Sequence, residues 1–420
     1  MFKKAHKELI IAILLALFLF IFLIARTSLQ SPKEEKTIIF LMDGLRWDFV
    51  LDNLDELPNF RYIVDNGVYG KLKPLSPTFS VASIAGFLSG KKSDEFDYNY
   101  AFIFNTSKEW DCSSSFIGEL PIPSSETDLF KIMSENKKVN KLYFLTKAPN
   151  DFDPKLVSES ILSNDVIYIY DQDPDFHGHK IDLKNETNII PLMKIQDEKL
   201  GAVLAELKKM GSLEKSNIVV LGDHGMGAIS KFPNWATILI DLQAIGVNSN
   251  NTCYWNDAGV SIRFWFRNQS VESELKPMII DYFKNKECFF VPDEEYLSNH
   301  NVIIKDPNKN RASLGDLVIG LNVGCKVIYE DVPEHLLGFE EKLEAVNAYS
   351  SMHGYLDNEH EEMQAFVGIS GPLFKEDFYI EMEIIDIAPT LLCGLGYKND
   401  QYYTSIDGKI RCDVLEECQC

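Results

Sequence analysis

The sequence predicts an α/β protein with a mostly parallel central sheet and helices on both faces. Three apolar runs of strand length, TIIFLM, VIYIYD and NIVVL, lead to acids at Asp43, Asp171 and Asp223. Between the second and third runs, leucine and valine recur at helical spacing from Leu200 to Leu207, and Gly211 follows. This spacing is typical of a helix packed on a sheet. Alternating strands and helices indicate parallel strands whose carboxyl ends form the ligand site.

The same pattern continues towards the C-terminus. LYFL near Tyr143 and AFVGIS from Ala365 are predicted buried strands, and DIAPTLLCGLG from Asp386 is a predicted helix with Pro389 in its first turn. Between residues 229 and 350 the pattern is weaker, and SIRFWF alternates as an antiparallel strand does. We therefore expect a lid or subdomain inserted at about residues 229–350 of the catalytic domain.

Composition narrows the class of protein. The 420 residues are 45% hydrophobic and 25% charged, which is typical of a folded globular chain. The formal net charge of -22 opposes binding to a polymeric nucleic acid, and no basic stripe counteracts it. Small phosphate substrates remain compatible with this charge, because bound divalent metal ions reverse the local field in a pocket.

An unbroken apolar run extends from Leu9 to Ala25, with Lys3, Lys4 and Lys7 before it and Arg26 after it. The preceding lysines predict a cytoplasmic N-terminus. We therefore expect a tail at 1–8, a transmembrane signal anchor at 9–25, a stalk at 26–35 and an extracytoplasmic catalytic domain at 36–420. The expected topology is that of a single-pass type II membrane protein of the cell surface or the secretory lumen; whether the segment is cleaved stays open.

Eight cysteines are compatible with disulfide bonds in such a compartment, and three of them, Cys412, Cys418 and Cys420, are close together at the C-terminus. Their connectivity does not follow from sequence. Four acceptor triplets predict N-glycosylation, and they begin at Asn105, Asn185, Asn250 and Asn268.

Four groups of aspartates and histidines each include or adjoin a glycine, and three of the four groups follow predicted strands. The candidate metal ligands are Asp43, Asp175, His179, Asp223, His224 and His353. Asp-Gly after a strand is by itself most often a turn. A dinuclear site needs about six such groups from several strand ends, and carboxylate with imidazole suits zinc, with manganese less favoured. The set therefore predicts two Zn²⁺ ions.

These groups, in this order, resemble the ectonucleotide pyrophosphatase/phosphodiesterase family of the alkaline phosphatase superfamily. The resemblance spans about residues 37–397. It is carried by FLMDGLRWDFV, GVYGKLKPLSPTFSVASIAGFLSG, FIGELPI, DQDPDFHGHK, the helix from Lys194, NIVVLGDHGM, MHGYLDNEHEEMQAF and DIAPTLL. GDHGM and HGYLDN are the most specific of these segments.

The resemblance implies an alkaline-phosphatase-like fold and two metal trios. Asp43, Asp223 and His224 would hold one zinc together with the nucleophile, and Asp175, His179 and His353 would hold the other. The nucleophile position falls on Ser80, where the family usually has threonine. The residues support this position separately, since SVASIAGFLSG is a predicted helix that begins at Ser80, and a helix N-terminus favours an alkoxide and a phosphate.

Several positions near Ser80 depart from the family pattern. Ser83 stands where the family has an asparagine that contacts a phosphoryl oxygen, and Val81 replaces an aromatic residue that stacks on a nucleoside base. Thr78 is a weaker alternative nucleophile, and we include Thr78 and Ser83 as expected substrate-binding residues. HGYLDN is one residue longer than the family form, and KKSDEFDYN lacks the family's histidine.

The predicted function is hydrolysis of a phosphodiester or phosphoanhydride bond through a phosphorylated Ser80. The expected substrate is a small phosphodiester, a nucleotide or a phospholipid-derived molecule. A phosphoethanolamine-type transferase of the same superfamily is one alternative. The other is a catalytically weak or inactive surface glycoprotein that retains the fold. The sequence does not determine the oligomeric state.

Overall fold

A computed structural model describes residues 35–92, 102–104, 114–116, 129–144, 152–300, 302, 315–328, 349–397 and 400–418. The predicted tail, the anchor at 9–25 and most of the stalk lie outside these residues, as does Asn105. Within the described ranges, no helix has both the length and the apolar character that a membrane span requires.

The strands are numbered in chain order. They are β1 Thr37–Met42, β2 Gly67–Lys73, β3 Phe102–Phe104, β4 Ser114–Phe116, β5 Val139–Phe144, β6 Val166–Asp171, β7 Asn217–Leu221, β8 Gly227–Ala228, β9 Thr252–Asp257, β10 Ser261–Phe266, β11 Phe289–Phe290, β12 Leu317–Leu321, β13 Ser351–Met352, β14 Ala365–Ser370 and β15 Phe378–Glu383.

The α-helices are numbered in the same way. They are α1 Trp47–Leu51, α2 Pro58–Asp65, α3 Ser80–Ser89, α4 Leu129–Ser134, α5 Pro154–Ser163, α6 Asp173–Gly178, α7 Ile190–Met210, α8 Trp235–Ala244, α9 Gln269–Lys284, α10 Glu294–Asn299, α11 Ile387–Gly394 and α12 Asp400–Tyr403. Single turns of 3-10 helix lie at Leu54–Glu56, Glu186–Ile189, Leu213–Lys215, Glu361–Met363, Ile384–Asp386 and Cys412–Val414.

The central sheet has seven strands in the order β15, β2, β14, β7, β1, β6, β5. The pairs β5–β6, β6–β1, β1–β7 and β2–β15 are parallel, and only β14 runs against its neighbours β7 and β2 in this sheet. Strands β1, β6 and β7 are buried along their whole length, which explains their continuous apolar sequences. The predicted mostly parallel sheet is confirmed.

Helices cover both faces of this sheet, because alternate side chains of each strand point to opposite sides. Ile39 and Leu41 of β1 lie in a core with apolar residues of α3, α4 and α11. Ile38 and Phe40 lie in a second core with residues of α1, α2, α5 and α7. The predicted helix after VIYIYD is α7, and its end at Gly211 adopts a left-handed conformation with φ 67°.

The register of the parallel strands fixes the position of the strand ends. In β1, Met42 is paired with Asp171 of β6, and Leu41 is paired with Leu221 of β7. The residues that follow these pairs therefore emerge at the same edge of the sheet. This edge holds Asp43, Asp175 and Asp223.

The segment predicted to be inserted contains a separate antiparallel sheet, in the order β11, β12, β10, β9. SIRFWF is its strand β10, which pairs antiparallel with β9 and β12 as the sequence predicted. The sheet packs with α8 and α9 around its own apolar cluster, which includes Trp235, Phe264 and Phe283. A role as a lid stays a prediction.

Disulfide bonds support a location outside the cytoplasm. Cys288 is bonded to Cys325, and Cys412 is bonded to Cys418 close to the C-terminus. Cys253 and Cys393 are also in disulfide bonds. Since such bonds persist mainly in oxidising compartments, the protein is an extracellular or secretory-pathway protein.

Candidate metal and nucleophile site

Glycine allows two strand-end loops to approach each other closely. Gly44 follows Asp43 at the end of β1 and has φ 73°, which favours glycine. A Cβ atom on Gly44 would lie 3.1 Å from the Cα atom of Asp175. The absence of a side chain at Gly44 therefore lets the backbone of α6 pack directly against the end of β1.

Asp43, Asp223 and His224 form the first group of potential ligands, with one donor atom of each lying within 4.8 Å of the others. His224 Nε2 lies 3.2 Å from Asp43 Oδ1 and 3.7 Å from Asp223 Oδ2. The backbone N–H groups of Gly44 and His224 donate to Asp223 Oδ1, at 3.0 and 3.1 Å. Asp223 Oδ2 is buried and has no hydrogen-bond partner.

Asp175 is the centre of the second group. Its Oδ1 atom lies 3.3 Å from His179 Nε2 and 3.1 Å from His353 Nε2, yet it is buried without a hydrogen bond of acceptable geometry. By distance, the three residues that can share one ion here are Asp175, His224 and His353, whose donor atoms lie within 4.8 Å of one another, and the predicted ligand His179 is not part of this group. His224 therefore lies between the two groups, and its ring stacks on that of His353 with centroids 3.7 Å apart.

Backbone carbonyls orient all three histidine rings. The Nδ1 atoms of His224, His179 and His353 lie 2.8, 2.9 and 3.0 Å from the carbonyl oxygens of Gly225, Ser351 and Thr78. A carbonyl oxygen only accepts, so each Nδ1 carries the hydrogen. In the neutral ring each Nε2 is then an acceptor that faces a carboxylate oxygen, which is also an acceptor. Two acceptors that face each other suit a cation bound between them. A hydrogen bond from the other ring nitrogen to a carbonyl oxygen is the usual support of a histidine that ligates a metal.

Burial and like charge perturb the titration of these groups. Burial raises the pKa of the Asp223 carboxyl to about 8, and the nearby Asp43 carboxylate adds to this rise. Burial lowers the pKa of His224, but the carboxylates of Asp223 and Asp43 outweigh burial and raise it to about 10. Burial opposes ionisation of Asp175 as well, yet His179 and His353 hold its pKa well below the usual range. A divalent cation bound between these carboxylates would relieve the repulsion between Asp43 and Asp223 and favour their ionised forms.

Ser80 lies beside the first group. Its Oγ atom lies 3.2 Å from Asp43 Oδ1 and 3.1 Å from His224 Nε2. Ser80 is also the first residue of α3, a helix of 10 residues whose first turn points its N–H groups towards this position. The hydroxyl therefore occupies a place where both a cation and an anion can be bound.

The hydroxyls of Thr78 and Ser83 are buried and have internal partners. Thr78 Oγ1 accepts a hydrogen bond from the N–H of Gly354 at 2.8 Å, next to His353. Ser83 Oγ accepts one from the N–H of Leu75 at 3.3 Å. Substrate binding by these two residues stays a prediction, and their contacts favour internal roles. Of the two rival nucleophiles, Ser80 is favoured, because its Oγ atom lies within 3.2 Å of potential ligand atoms of Asp43 and His224.

Two supporting residues were missed by the sequence analysis. Tyr170 of β6 is buried, and its hydroxyl donates to Asp43 Oδ2, so that Asp43 Oδ1 faces Ser80. Arg46 is buried, and its guanidinium donates to the carbonyl oxygen of Met226 at 2.8 Å. Arg46 thereby connects the loop after β1 with the loop after β7. Neither residue carries a local signal, because each acts on a residue distant in the sequence.

Three of the predicted glycosylation asparagines lie on the surface. Asn185, Asn250 and Asn268 are exposed. Asn268 caps helix α9, since its side-chain oxygen accepts from the N–H of Val271 at 3.1 Å. Their exposure is compatible with modification, which stays a prediction.

The strand-end acids, the histidines and the serine at one edge of a mostly parallel sheet are typical of an enzyme of the α/β class with a candidate metal centre. The family model for type I phosphodiesterase / nucleotide pyrophosphatase matches residues 37–95 and 105–356, which is more than half of the chain. The chain therefore belongs to this family, as the resemblance predicted. It is a hydrolase acting on phosphodiester or phosphoanhydride bonds, and the family is metal-dependent.

Similar proteins agree with this assignment. The bis(5'-adenosyl)-triphosphatase ENPP4 of Homo sapiens is 22% identical over 422 aligned positions, which cover 92% of this chain and 84% of the relative. Two solved structures of ectonucleotide pyrophosphatase/phosphodiesterase 5 share the fold at 16% identity. The human protein has a TM-score of 0.68, and an inactive form of the murine protein in complex with AMP has one of 0.67. Each covers 91% of this chain and 100% of the solved chain.

Proposed function

We propose that the protein hydrolyses small phosphodiesters or phosphoanhydrides through a phosphorylated Ser80, with two zinc ions as cofactors. The observation that carries the proposal is the position of Ser80 Oγ, 3.2 Å from Asp43 Oδ1 and 3.1 Å from His224 Nε2. A serine is a weak nucleophile unless its environment favours the alkoxide. The N-terminus of α3 and a cation held by its neighbours would both provide that environment.

Two trios would hold the ions. Asp43, Asp223 and His224 would bind one zinc together with Ser80. The second trio, which consists of Asp175, His179 and His353, would bind the other zinc. The ions would lower the pKa of the nucleophiles and neutralise the charge that develops on the phosphoryl oxygens.

The chemistry at Ser80 follows in two displacements. In the first, the proton of Ser80 passes to solvent, Oγ forms a bond to phosphorus, and the bond from phosphorus to the leaving-group oxygen breaks, so that this oxygen leaves with the electron pair and takes up a proton. In the second, a water oxygen attacks the same phosphorus, the bond to Oγ breaks, and one proton of the water passes to Oγ. N–H groups in the first turn of α3 would donate to the phosphoryl oxygens in both steps.

A nucleotide is the first substrate class to test. The relative ENPP4 is a bis(5'-adenosyl)-triphosphatase, and a structural neighbour binds AMP. Next to Ser80, however, this chain has the half-exposed aliphatic residue Val81, which gives a base no aromatic ring to stack on. A phospholipid-derived diester is therefore the second class in the test, and the products of hydrolysis identify the bond that is cleaved.

Removal of metal is expected to abolish turnover. The full-length chain, purified in detergent, is assayed on bis(p-nitrophenyl) phosphate, diadenosine triphosphate and a lysophospholipid, with and without a zinc chelator. We expect a loss of about a hundredfold or more on the substrate that is turned over, and recovery with zinc, because the ions supply most of the charge stabilisation. Circular dichroism of the chelated protein checks that the fold persists. Unchanged turnover after complete removal of zinc contradicts the proposal.

We also propose that the apolar segment 9–25 anchors the protein in a membrane and that the catalytic domain is glycosylated on the lumenal or outer side. In eukaryotic cells the full-length chain is expected to stay in the membrane fraction at alkaline pH and to gain mobility after digestion with an N-glycosidase. For Asn185→Gln and for Asn268→Gln, the mobility shift on N-glycosidase digestion is expected to be smaller than for the unmodified sequence. Release by alkaline extraction contradicts the anchor, and an absent shift contradicts glycosylation.

A further inference from the structure

Three buried charged side chains form a cluster behind the segment that carries Asp175 and His179. Asp171 ends β6, Asp173 begins α6, and Lys199 lies on the long helix α7. Lys199 Nζ lies 2.6 Å from Asp171 Oδ2 and 2.5 Å from Asp173 Oδ2, and the three side chains are 7%, 1% and 7% exposed in the order Lys199, Asp171, Asp173. One ammonium group therefore joins two carboxylates in a region with little water.

The cluster is tied to the edge of the sheet. Asp171 Oδ1 accepts a hydrogen bond from the N–H of Asp173 at 3.2 Å, which closes a ring through Lys199. The carbonyl oxygen of Asp171 accepts from the N–H of Asp43 at 2.9 Å. The first residue of α6 is thus held by charge against the end of β6 and, through it, against the end of β1.

Asp175 has little freedom once this end of α6 is fixed. It lies two residues after Asp173, and its backbone packs against Gly44, where an added Cβ would lie 3.1 Å from Asp175 Cα. His179 follows directly after α6, and its N–H donates to the carbonyl oxygen of Asp175 at 3.1 Å. A shift at Asp173 would therefore move both side chains.

Stability alone does not require this cluster. Buried charges lose their hydration, and a buried ion cluster is often replaced by apolar side chains of similar volume without loss of stability. A charged arrangement does fix distances and angles more closely than an apolar contact does, because its hydrogen bonds are directional. Its contacts lie at the start of α6, so the position of α6 is what such an arrangement would fix.

We propose that Lys199 is a positioning residue that places Asp175 and His179 for metal binding by holding Asp171 and Asp173. The inference rests on the proposed function, which assigns both residues to the second zinc ion. Lys199 acts through the two aspartates rather than on the substrate. Removal of the Lys199 ammonium group is therefore expected to weaken zinc binding in a protein that still folds.

The test compares Lys199→Met with Lys199→Arg in the full-length zinc-loaded protein. Zinc content is measured, and zinc affinity is obtained by competition with a chromophoric chelator, below the melting temperature of every variant. For Lys199→Met we expect one of the two zinc ions to bind about 10- to 100-fold more weakly, as is typical when a supporting partner of a ligand is removed. We expect the turnover of Lys199→Met at limiting zinc to fall together with its zinc affinity. Lys199→Arg should retain most of the zinc affinity.

Arg263→Met is the matched control. It removes the cation of another buried pair, in which Arg263 Nε lies 2.6 Å from Asp257 Oδ2 with side chains 0% and 3% exposed, in the sheet of the inserted segment. We expect it to lower the melting temperature without changing zinc affinity. An equal loss of zinc affinity in Arg263→Met overturns the proposal, because a general loss of stability then explains both variants.

A third variant covers the case in which Lys199→Met does not fold. The uncharged triple variant Asp171→Asn/Asp173→Asn/Lys199→Met leaves no buried unpaired charge. Weaker zinc binding in the triple variant supports the positioning role of Lys199. Wild-type zinc affinity in the triple variant, or in Lys199→Met, overturns that role. Either result is distinct from a failure of the proposed function, in which the unmodified protein itself binds no zinc.

Discussion

Ser80→Ala is expected to lower the turnover number by about a thousandfold or more, as removal of a catalytic nucleophile does. The variant lacks the Oγ atom that forms the bond to phosphorus. Its fold should persist, because alanine is a good helix former. The cap position of α3 is Phe79, and no side chain caps this helix, so Ser80→Ala removes no capping hydrogen bond. Zinc content at saturating zinc should stay the same, because Asp43, Asp223 and His224 remain in place although the proposed ligand Ser80 is lost.

The measurement is the turnover number on the best substrate of the panel, together with zinc content. Ser89→Ala is the matched control: it lies at the other end of α3, is buried, and donates from Oγ to the carbonyl oxygen of Ala85 at 2.8 Å. We expect it to keep the turnover number while losing about 1 kcal/mol of stability. Full activity in Ser80→Ala, with loss of activity in Thr78→Val, would assign the nucleophile to Thr78 instead.

Asp223→Asn is expected to have opposite effects on zinc binding and on the stability of the metal-free protein. The amide oxygen can still accept from the N–H groups of Gly44 and His224, whose bonds to Asp223 Oδ1 are 3.0 and 3.1 Å long. The amide nitrogen replaces Oδ2, the buried oxygen without a partner. Since a nitrogen that carries hydrogens does not bind a cation, zinc affinity and turnover should each fall by about a hundredfold or more, beyond the loss typical of a supporting residue.

The gain in stability depends on pH in a defined direction. Burial raises the pKa of Asp223 to about 8, above the value of about 3.9 of an unfolded aspartate. Between these two pKa values the folded state therefore binds more protons than the unfolded state. The contribution of Asp223 to the free energy of unfolding is largest below about pH 4 and is lost as the pH rises through 8. Asparagine does not titrate. In the metal-free protein, Asp223→Asn should therefore become progressively more stable than the parent from pH 5 to pH 8.

Urea unfolding of the chelated proteins at pH 5, 6.5 and 8 measures this difference. Asp52→Asn is the control for the general effect of replacing an aspartate by asparagine, because Asp52 is an exposed acid. A difference in stability between Asp223→Asn and the parent that stays constant with pH contradicts the assigned effect of burial. Retained zinc affinity in Asp223→Asn contradicts its role as a ligand.

Much of the fold could be read from local patterns. TIIFLM, VIYIYD and NIVVL form buried parallel strands, and the run from Leu200 to Leu207 lies on the helix between the last two. Apolar periodicity is a property of neighbouring residues, so it does not depend on the rest of the structure. The reversed direction of β14 was not predicted, because an apolar strand of 6 residues has the same pattern in either direction.

The candidate site divides in the same way. The acids and histidines were found because each follows a strand or stands beside glycine, and the parallel register then brings them to one edge. The supporting residues were not found. Tyr170 reaches Asp43 across 127 positions, and the carbonyl of Thr78 orients His353 across 275 positions. Hydrogen bonds over such separations leave no local trace in a single sequence.

The sequence by itself determined the α/β class, the potential ligands and the choice of Ser80 as the first nucleophile candidate. Tertiary structure decided which hydroxyl faces the ligands, which ring nitrogen each histidine presents, and how Lys199 holds the start of α6. The physical reason is that periodicity and turn chemistry act between neighbours in the chain. Orientation of a side chain in a buried site depends instead on donors, acceptors and charges that folding brings from distant strands and helices.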